Sequence, residues 1–414
     1  MMMKDTAEVA VIGAGIVGAT IALRLAQEGR EVVLIDATGA GTGASHGNAG
    51  TIADYAVRPV GTPSVLRNLP SLLLDRDSPL AIRKAAILSL APWLLRFLAQ
   101  SLPARAEANA RALARLVAGA TERWTDLAAQ ADATGLTRSK GCLYVFRSPR
   151  EMASARSDLA GRRALGVDLE ILDPAGLARL EPGYPPVCGG AAFFPRSLSI
   201  LDPGEMTRRI AGAAEAAGCT PLSARVDRLD RRQGGVRLSG AGLDLAARHA
   251  VIAAGAQSRA LARMAGDRVP LDTERGYHLE FDGQERRLSR PVCPTDRAFY
   301  LSPMAGRLRA AGTVELGGLT APPSPHRIAA LERGVRSIFP DLPPPSRTWM
   351  GFRPSMPDSL PVIGPSRGGP EVIHAFGHGH IGLTLAPVTA RIVADIIACR
   401  PSALDLAPFR ADRF

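Results

Sequence analysis

The chain has 414 residues, 46% of them hydrophobic and 21% charged, the composition of a globular protein with an ample core and room for two or more domains. Its net charge of +11 comes from scattered arginines, with no long basic block and no basic stripe interleaved with aromatics; this argues against nucleic acid as a partner and fits anionic substrates or an anionic membrane surface. The five cysteines, Cys142, Cys188, Cys219, Cys293 and Cys399, stand far apart and never as C-x-x-C, which argues against a zinc knuckle or a disulfide framework and for a reducing, cytoplasmic compartment.

In chain order, Glu8–Ile12 reads as an apolar strand that runs straight into Gly13-Ala-Gly15-Ile-Val-Gly18, the start of a helix to about Gln27. A second strand, Glu31–Ile35, ends at Asp36. The glycines have separate tasks: Gly13 for the tight turn, Gly15 for close approach of a pyrophosphate, Gly18 for close helix–strand packing. The helix N-terminus then receives the anion, and Asp36, about 20 residues on, faces a ribose diol. An adenine dinucleotide is the ligand this arrangement predicts. The apolar run Val9–Leu23 is that binding element, so it is expected to be retained rather than cleaved as a signal sequence.

Five glycines fall between Gly39 and Gly50, which predicts a loop that lies close against a ligand. Within it, Gly43-Ala-Ser45-His46-Gly47 has the letters of a hydrolase nucleophile elbow, but no helix is predicted to start at Ser45, and that chemistry is set aside. Residues 59–103 are proline-interrupted; the greasy stretch Ala85–Leu95 is too short to span a bilayer and reads as a buried or bridging helix, with peripheral membrane contact as the other reading. Leu113, Leu116, Val117, Ala120, Trp124, Leu127 and Ala128 predict one long amphipathic helix over Asn109–Ala131, with Trp124 in the core. A strand at 141–146, a helix at 150–165 and a strand at 189–194 complete an inserted unit. A helix over 203–217, a strand over Ser223–Leu229 and a strand from His249 ending in Ala254-Gly255 return to the parallel sheet. Strands at 277–281, 298–302 and 308–315 predict an antiparallel platform, and a helix over 326–338 follows. The last segment contains Gly351-Phe-Arg353-Pro, a strand at 371–375, the turn Gly377-His-Gly379-His-Ile-Gly382-Leu-Thr384 and a closing helix. Strand, glycine turn and helix start thus recur at the far end.

These motifs together resemble the D-amino-acid-oxidase-like FAD flavoproteins, and most closely their bacterial D-amino acid dehydrogenases. The resemblance runs end to end, through the fingerprint, Ser45-His-Gly-Asn-Ala-Gly50, Gly276-Tyr277-His278, Gly351-Phe-Arg353-Pro with Pro357-Asp358, and the Gly377–Gly382 turn. It implies an α/β fold: a Rossmann-type FAD-binding domain (1–59, 201–266 and 346–414) with an inserted α+β substrate domain on an antiparallel sheet (60–200 and 267–345). It implies FAD held by Gly13, Gly15, Gly18, Asp36, Ser45, His46, Asn48, Ala49, Gly50, Val226, Ala254, Gly255, Gly379, His380, Gly382 and Thr384. Arg353 matches the guanidinium that holds a substrate carboxylate, a role suited to its planar fork and permanent charge. Tyr277, His278 and Tyr300 are further candidates for the substrate pocket. No metal is expected, because His374, His378 and His380 have no carboxylate or cysteine at ligand spacing.

The expected reaction is oxidation of a D-amino acid to a 2-oxo acid and ammonia through an imino acid, with electrons passed to a quinone or carrier protein. The alternatives are a D-proline or hydroxy-D-proline dehydrogenase, an oxygen-using oxidase, a nicotinamide enzyme and a non-catalytic flavin-binding subunit. The expected location is the cytoplasm, peripherally on the inner face of the membrane.

Overall fold

The computed structural model describes residues 6–67 and 80–414; the part of the proline-interrupted stretch over 68–79 lies outside the described residues. Two large sheets carry the fold. The first has eight strands, of which Thr220–Ser223, Val32–Asp36, Thr6–Ile12, Leu243–Ile252 and Gly369–Phe376 lie side by side and parallel. Its central strands are buried on both faces, and Val9, Ala10, Val11, Val251 and Ile252 have no exposed surface. That burial is why they read as continuous apolar runs without alternation.

Helices Ile16–Gln27 and Gly382–Ile397, from opposite ends of the chain, pack on one face of this sheet against each other. Helix Ala120–Gln130 packs on the second of them, and Trp124, fully buried, donates its indole N–H to the Leu383 carbonyl at 2.9 Å. Gly379–Ile397 is apolar enough to cross a membrane by length and composition, but it is largely buried here as a core helix.

The second sheet has nine strands, mostly antiparallel, in the order Arg347–Ser355, Asp272–Asp282, Arg307–Leu316, Phe299–Met304, Val292–Pro294, Cys142–Val145, Ala191–Phe194 and Glu170–Leu172, with Leu80–Ile82 paired to Arg307–Leu316. Arg347–Ser355 is antiparallel to Asp272–Asp282, with Arg353 opposite Glu274. The last crossing into the parallel sheet therefore falls after Ser355, not at residue 346.

Two other expectations change. The helix over Asn109–Ala131 is two helices, Pro103–Val117 and Ala120–Gln130, because Gly119 adopts φ +70°, outside the helical range, and caps the start of the second one. The strand over Ser223–Leu229 is split into Thr220–Ser223 and Arg228–Arg232. Val226 lies in the irregular link, where the Ala224 N–H reaches the Asp36 carbonyl at 3.1 Å.

The glycine contacts at the start of the fold are tight enough to test. A Cβ on Gly18 would lie 1.8 Å from the Gly13 carbonyl oxygen, whereas one on Gly212, in helix Pro203–Ala216, would meet nothing within 4 Å. Gly18→Ala is expected to destabilise the protein by roughly 1–3 kcal/mol and Gly212→Ala to stabilise it by roughly 0.4–1 kcal/mol. Urea midpoints of both variants check this, and an unchanged midpoint for Gly18→Ala would mean that the contact relaxes freely.

Candidate active site

One cavity of about 1030 Å³ runs between the two sheets, from Asp36 and Val226 at one end to Arg353 and Tyr300 at the other. Its first part is the N-terminal fingerprint. Gly13, at φ +107°, leaves no room for a side chain, since a Cβ there would lie 2.5 Å from the Ala253 carbonyl oxygen. Gly15 and Ile16 line the cavity at the start of their helix, and Ser45 Oγ accepts from the Ile16 N–H at 2.9 Å. Asp36 is fixed on both oxygens: Oδ2 accepts from Ala14 N at 2.7 Å, and Oδ1 from the N–H groups of Thr38 and Gly39 at 2.8 and 3.0 Å. A dinucleotide fits this end, with an acid held in position, a backbone that admits no Cβ and a helix start facing open space.

The middle of the cavity is formed by the Ser45–Gly50 loop and the returning strand. Ala254 and Gly255 line it where the Leu243–Ile252 strand ends. Asn48 and Ala49 also line it; Asn48 Oδ1 accepts from Gly50 N at 2.8 Å, and a Cβ on Gly50 would lie 2.4 Å from the Ile200 carbonyl oxygen. At the far end, Gly379, His380, Gly382 and Thr384 line the cavity at the start of helix Gly382–Ile397, whose positive pole therefore faces it. Thr384 Oγ1 accepts from Ala53 N at 2.9 Å and ties this helix start to the loop. The three C-terminal histidines separate: His374 pairs with Asp267 at 2.7 Å, away from the cavity, whereas His378, which meets Thr389 Oγ1 at 3.0 Å, and His380 both line it.

Arg353 is the cation of this end. Its Nη1 donates to the Thr313 carbonyl at 2.8 Å, and no carboxylate lies within 4.0 Å of it among the described residues. Burial lowers its pKa, which the nearby Glu274 opposes; a guanidinium stays charged at neutral pH regardless. Two backbone features hold it. Gly276 makes space, because a Cβ there would lie 2.4 to 2.9 Å from the guanidinium atoms. Thr313 has φ +60°, a strained value for a β-branched residue, at the bulge where the pairing of Asp272–Asp282 with Arg307–Leu316 slips. The strain turns the Thr313 carbonyl toward Arg353.

Tyr300 lines the cavity on the neighbouring strand, as expected. Tyr277 also lines the cavity, though its hydroxyl is directed to Glu315 and accepts from Ser324 N at 3.0 Å, so it braces the sheet as well. Two other expectations are corrected. His278 lies behind the loop, with Nδ1 3.3 Å from the Gly47 carbonyl and its ring stacked 5.1 Å from Trp349. His46 points the same way, 6.1 Å from Trp349 and outside the cavity lining.

Trp349, Thr313, Arg309 and Glu280 were not foreseen. Trp349 lines the cavity with its indole where a Cβ on Gly47 or Gly351 would lie 1.9 Å from it, so two motif glycines serve one ring. Arg309 donates to the carbonyls of His46 and Asn48 at 2.9 and 2.7 Å and is paired with Glu280, which also holds Arg307 and Arg347. Burial would raise the Glu280 carboxyl, but these guanidinium groups overturn that and hold it at about 2. The alternation Arg307-x-Arg309 facing Glu280 on the paired strand was the available signal.

A parallel sheet with a glycine fingerprint at one end of a long cavity, and a second helix start at the other beside a half-buried arginine without a carboxylate partner among the described residues, define a dinucleotide-type cofactor protein. The chain belongs to the DAO family of FAD dependent oxidoreductases, whose profile matches residues 8–396. It is 35% identical to a D-amino-acid oxidase of Bradyrhizobium diazoefficiens over 100% of both chains. It is 32% identical to a D-amino acid dehydrogenase of Paramagnetospirillum magneticum over 98% of this chain and 99% of the relative. The crystal structure of glycine oxidase from Geobacillus kaustophilus superposes with a TM-score of 0.76 at 23% identity, covering 99% of this chain and 100% of that one, and shares the fold. The protein is thus an FAD-dependent flavin oxidoreductase.

The buried histidines give the site a pH signature. The His380 ring is exposed in the open cavity, whereas burial pushes His378 down to about 3, and burial aided by Arg309 pushes His278 to about 3. Unfolded histidines, near 6.5, bind protons that these do not, so stability is complete above that value and is lost as pH falls below it. Two carboxyls oppose in part, Asp54, raised to about 6 by burial, and Glu274, also raised by burial. The urea midpoint is therefore expected to be lower at pH 5 than at pH 7, before the depressed carboxylates titrate, and His378→Gln is expected to reduce the difference. Equal midpoints would contradict the burial of neutral imidazoles.

Proposed function

We propose that the protein oxidises a D-amino acid to the imino acid, which water hydrolyses to a 2-oxo acid and ammonia. The observation that carries this reading is Arg353: a half-buried guanidinium, without a carboxylate partner among the described residues, in the same cavity as both glycine turns. Bound there, FAD supplies the acceptor for the substrate's hydride. The D-configuration rests on the names of the relatives.

The chain's own residues do three things. Arg353 takes the substrate carboxylate in bidentate fashion, and the Thr313 carbonyl and the gap at Gly276 keep its plane fixed. The N-terminus of helix Gly382–Ile397 offers N–H groups and a positive pole that stabilise negative charge at the far end of the cavity. Arg353 is the permanent cation there. The acidic side chains that line the cavity, Asp36 and Asp227, are at its fingerprint end. The substrate ammonium therefore loses its proton to solvent before hydride leaves.

For the electrons we propose a quinone or carrier as acceptor, with the protein in the cytoplasm and peripherally attached to the inner face of the membrane. The support is helix Ile87–Gln100, on which Leu88 is 90% and Leu95 67% exposed beside Arg96. Oxygen is the second reading, favoured by the name of the 35% identical relative.

Anaerobic bleaching of the flavin by a panel of D- and L-amino acids, D-proline included, followed by comparison of oxygen, dye and quinone as acceptors, tests the proposal; failure of every amino acid to bleach it would refute the reading. Arg353→Lys is expected to raise KM roughly 100-fold, the loss of about 3 kcal/mol in charged hydrogen bonds. Gly276→Ala should shift KM in the same direction by displacing the guanidinium. kcat/KM is expected to fall at acid pH with an apparent pKa that follows the amine of each substrate; an acid limb at one fixed pKa for all substrates would point to a protein group instead.

A further inference from the structure

Beside Arg353, a second polar feature borders the cavity. Tyr300 Oη lies 3.0 Å from Tyr144 Oη and 3.2 Å from Tyr55 Oη, and Tyr55 Oη lies 3.2 Å from Cys142 Sγ. Tyr300 lines the cavity; Tyr55 and Cys142 are fully buried behind it. The Tyr55 ring is held by stacking on Phe194 at 4.1 Å and edge-on to Tyr144 at 5.4 Å. The group is rigid and connected, and Arg353 chemistry alone makes no use of it.

A phenol has one proton to donate, so the chain of contacts has a direction. Cys142 is a thiol, since burial pushes it up to about 12, and its S–H lies toward the Leu143 carbonyl at 4.0 Å. Its sulfur can therefore only accept from Tyr55. Tyr55 then has no proton left for Tyr300, and Tyr300 must donate to Tyr55. Tyr144 in turn must donate to Tyr300. With its proton committed, the Tyr300 oxygen presents to the cavity a lone pair and no donor.

An α-amino acid has a carboxylate that only accepts and an amino group that donates. Arg353, which donates only, bonds the Thr313 carbonyl on the Arg307–Leu316 strand, and Tyr300 is paired opposite Ala311 of that same strand, so both groups border the same part of the cavity. An amino acid has one group suited to each, a carboxylate for Arg353 and a nitrogen for Tyr300.

We propose that Cys142 and Tyr55 are positioning residues that lock Tyr300 as a hydrogen-bond acceptor, so that it takes an N–H of the substrate amine while Arg353 holds the carboxylate. This rests on the amino-acid reading above. Its consequence is selectivity: a carboxylic acid without an amine gains nothing from Tyr300, and a carboxylate placed the wrong way round meets an acceptor.

The test uses the FAD-loaded enzyme and matched pairs, D-alanine with propionate and D-leucine with 4-methylpentanoate, the amino acid as substrate and the acid as competitive inhibitor. Tyr300→Phe is expected to lower kcat/KM for the amino acid at least about tenfold, with Ki of the acid unchanged within about twofold. Cys142→Ala frees the Tyr55 proton to turn toward Tyr300 and should lower kcat/KM in the same direction while tightening the acid; Cys142→Ser, which can still accept, should restore wild-type values. Tyr55→Phe repeats the Cys142→Ala result without altering the thiol, and retained FAD absorbance certifies each variant as folded. Wild-type kinetics in Cys142→Ala and Tyr55→Phe, or equal losses for acid and amino acid in Tyr300→Phe, would overturn the proposal. A wild-type enzyme that oxidises no amino acid would sink the functional reading and this one with it, and is told apart by that fact.

Discussion

Helices Ile16–Gln27 and Gly382–Ile397 come from opposite ends of the chain, yet each starts at one cavity and their apolar sides are buried against each other. A dinucleotide is long and charged in its middle, so a single helix start can serve its pyrophosphate but cannot also reach its other end. Packing two helices side by side on one parallel sheet solves this with a single core, and the rest of the molecule is arranged around that contact. The inserted sheet hangs over the cavity between them and brings Arg353 and Tyr300 to its far end.

The second sheet contributes through charge. One buried carboxylate, Glu280, collects Arg307, Arg309 and Arg347, and Arg309 passes the constraint to the loop through the His46 and Asn48 carbonyls. The loop is thereby fixed by its backbone, in addition to the bonds made by the Ser45 and Asn48 side chains. His46 accordingly turns toward Trp349, while Ser45 and Ala49 stay at the cavity.

Much of this was legible in the residues. Glycine spacing, an apolar run and a terminal acid depend on local geometry, so Gly13, Gly15, Gly18 and Asp36 were found where they were expected. Gly379 to Thr384 were legible for the same reason. His278 was not, because adjacent strand residues point to opposite faces and a bulge next to Gly276 resets which face is which, leaving Tyr277 and not His278 at the cavity. Val226 was placed on a strand that in fact breaks, and Gly119 interrupts a helix whose apolar spacing continues across the turn. Trp349 had no periodic signature at all. Its sign was indirect, in the glycines that make way for it.

The pairing of the first helix with the last also governs how the protein is made. During synthesis the Ile16–Gln27 segment leaves the ribosome long before Gly382–Ile397, so the part of its apolar surface that the last helix covers lacks that partner until the end of translation. The inserted sheet can mature first, but the cofactor cradle closes only when the last helix docks.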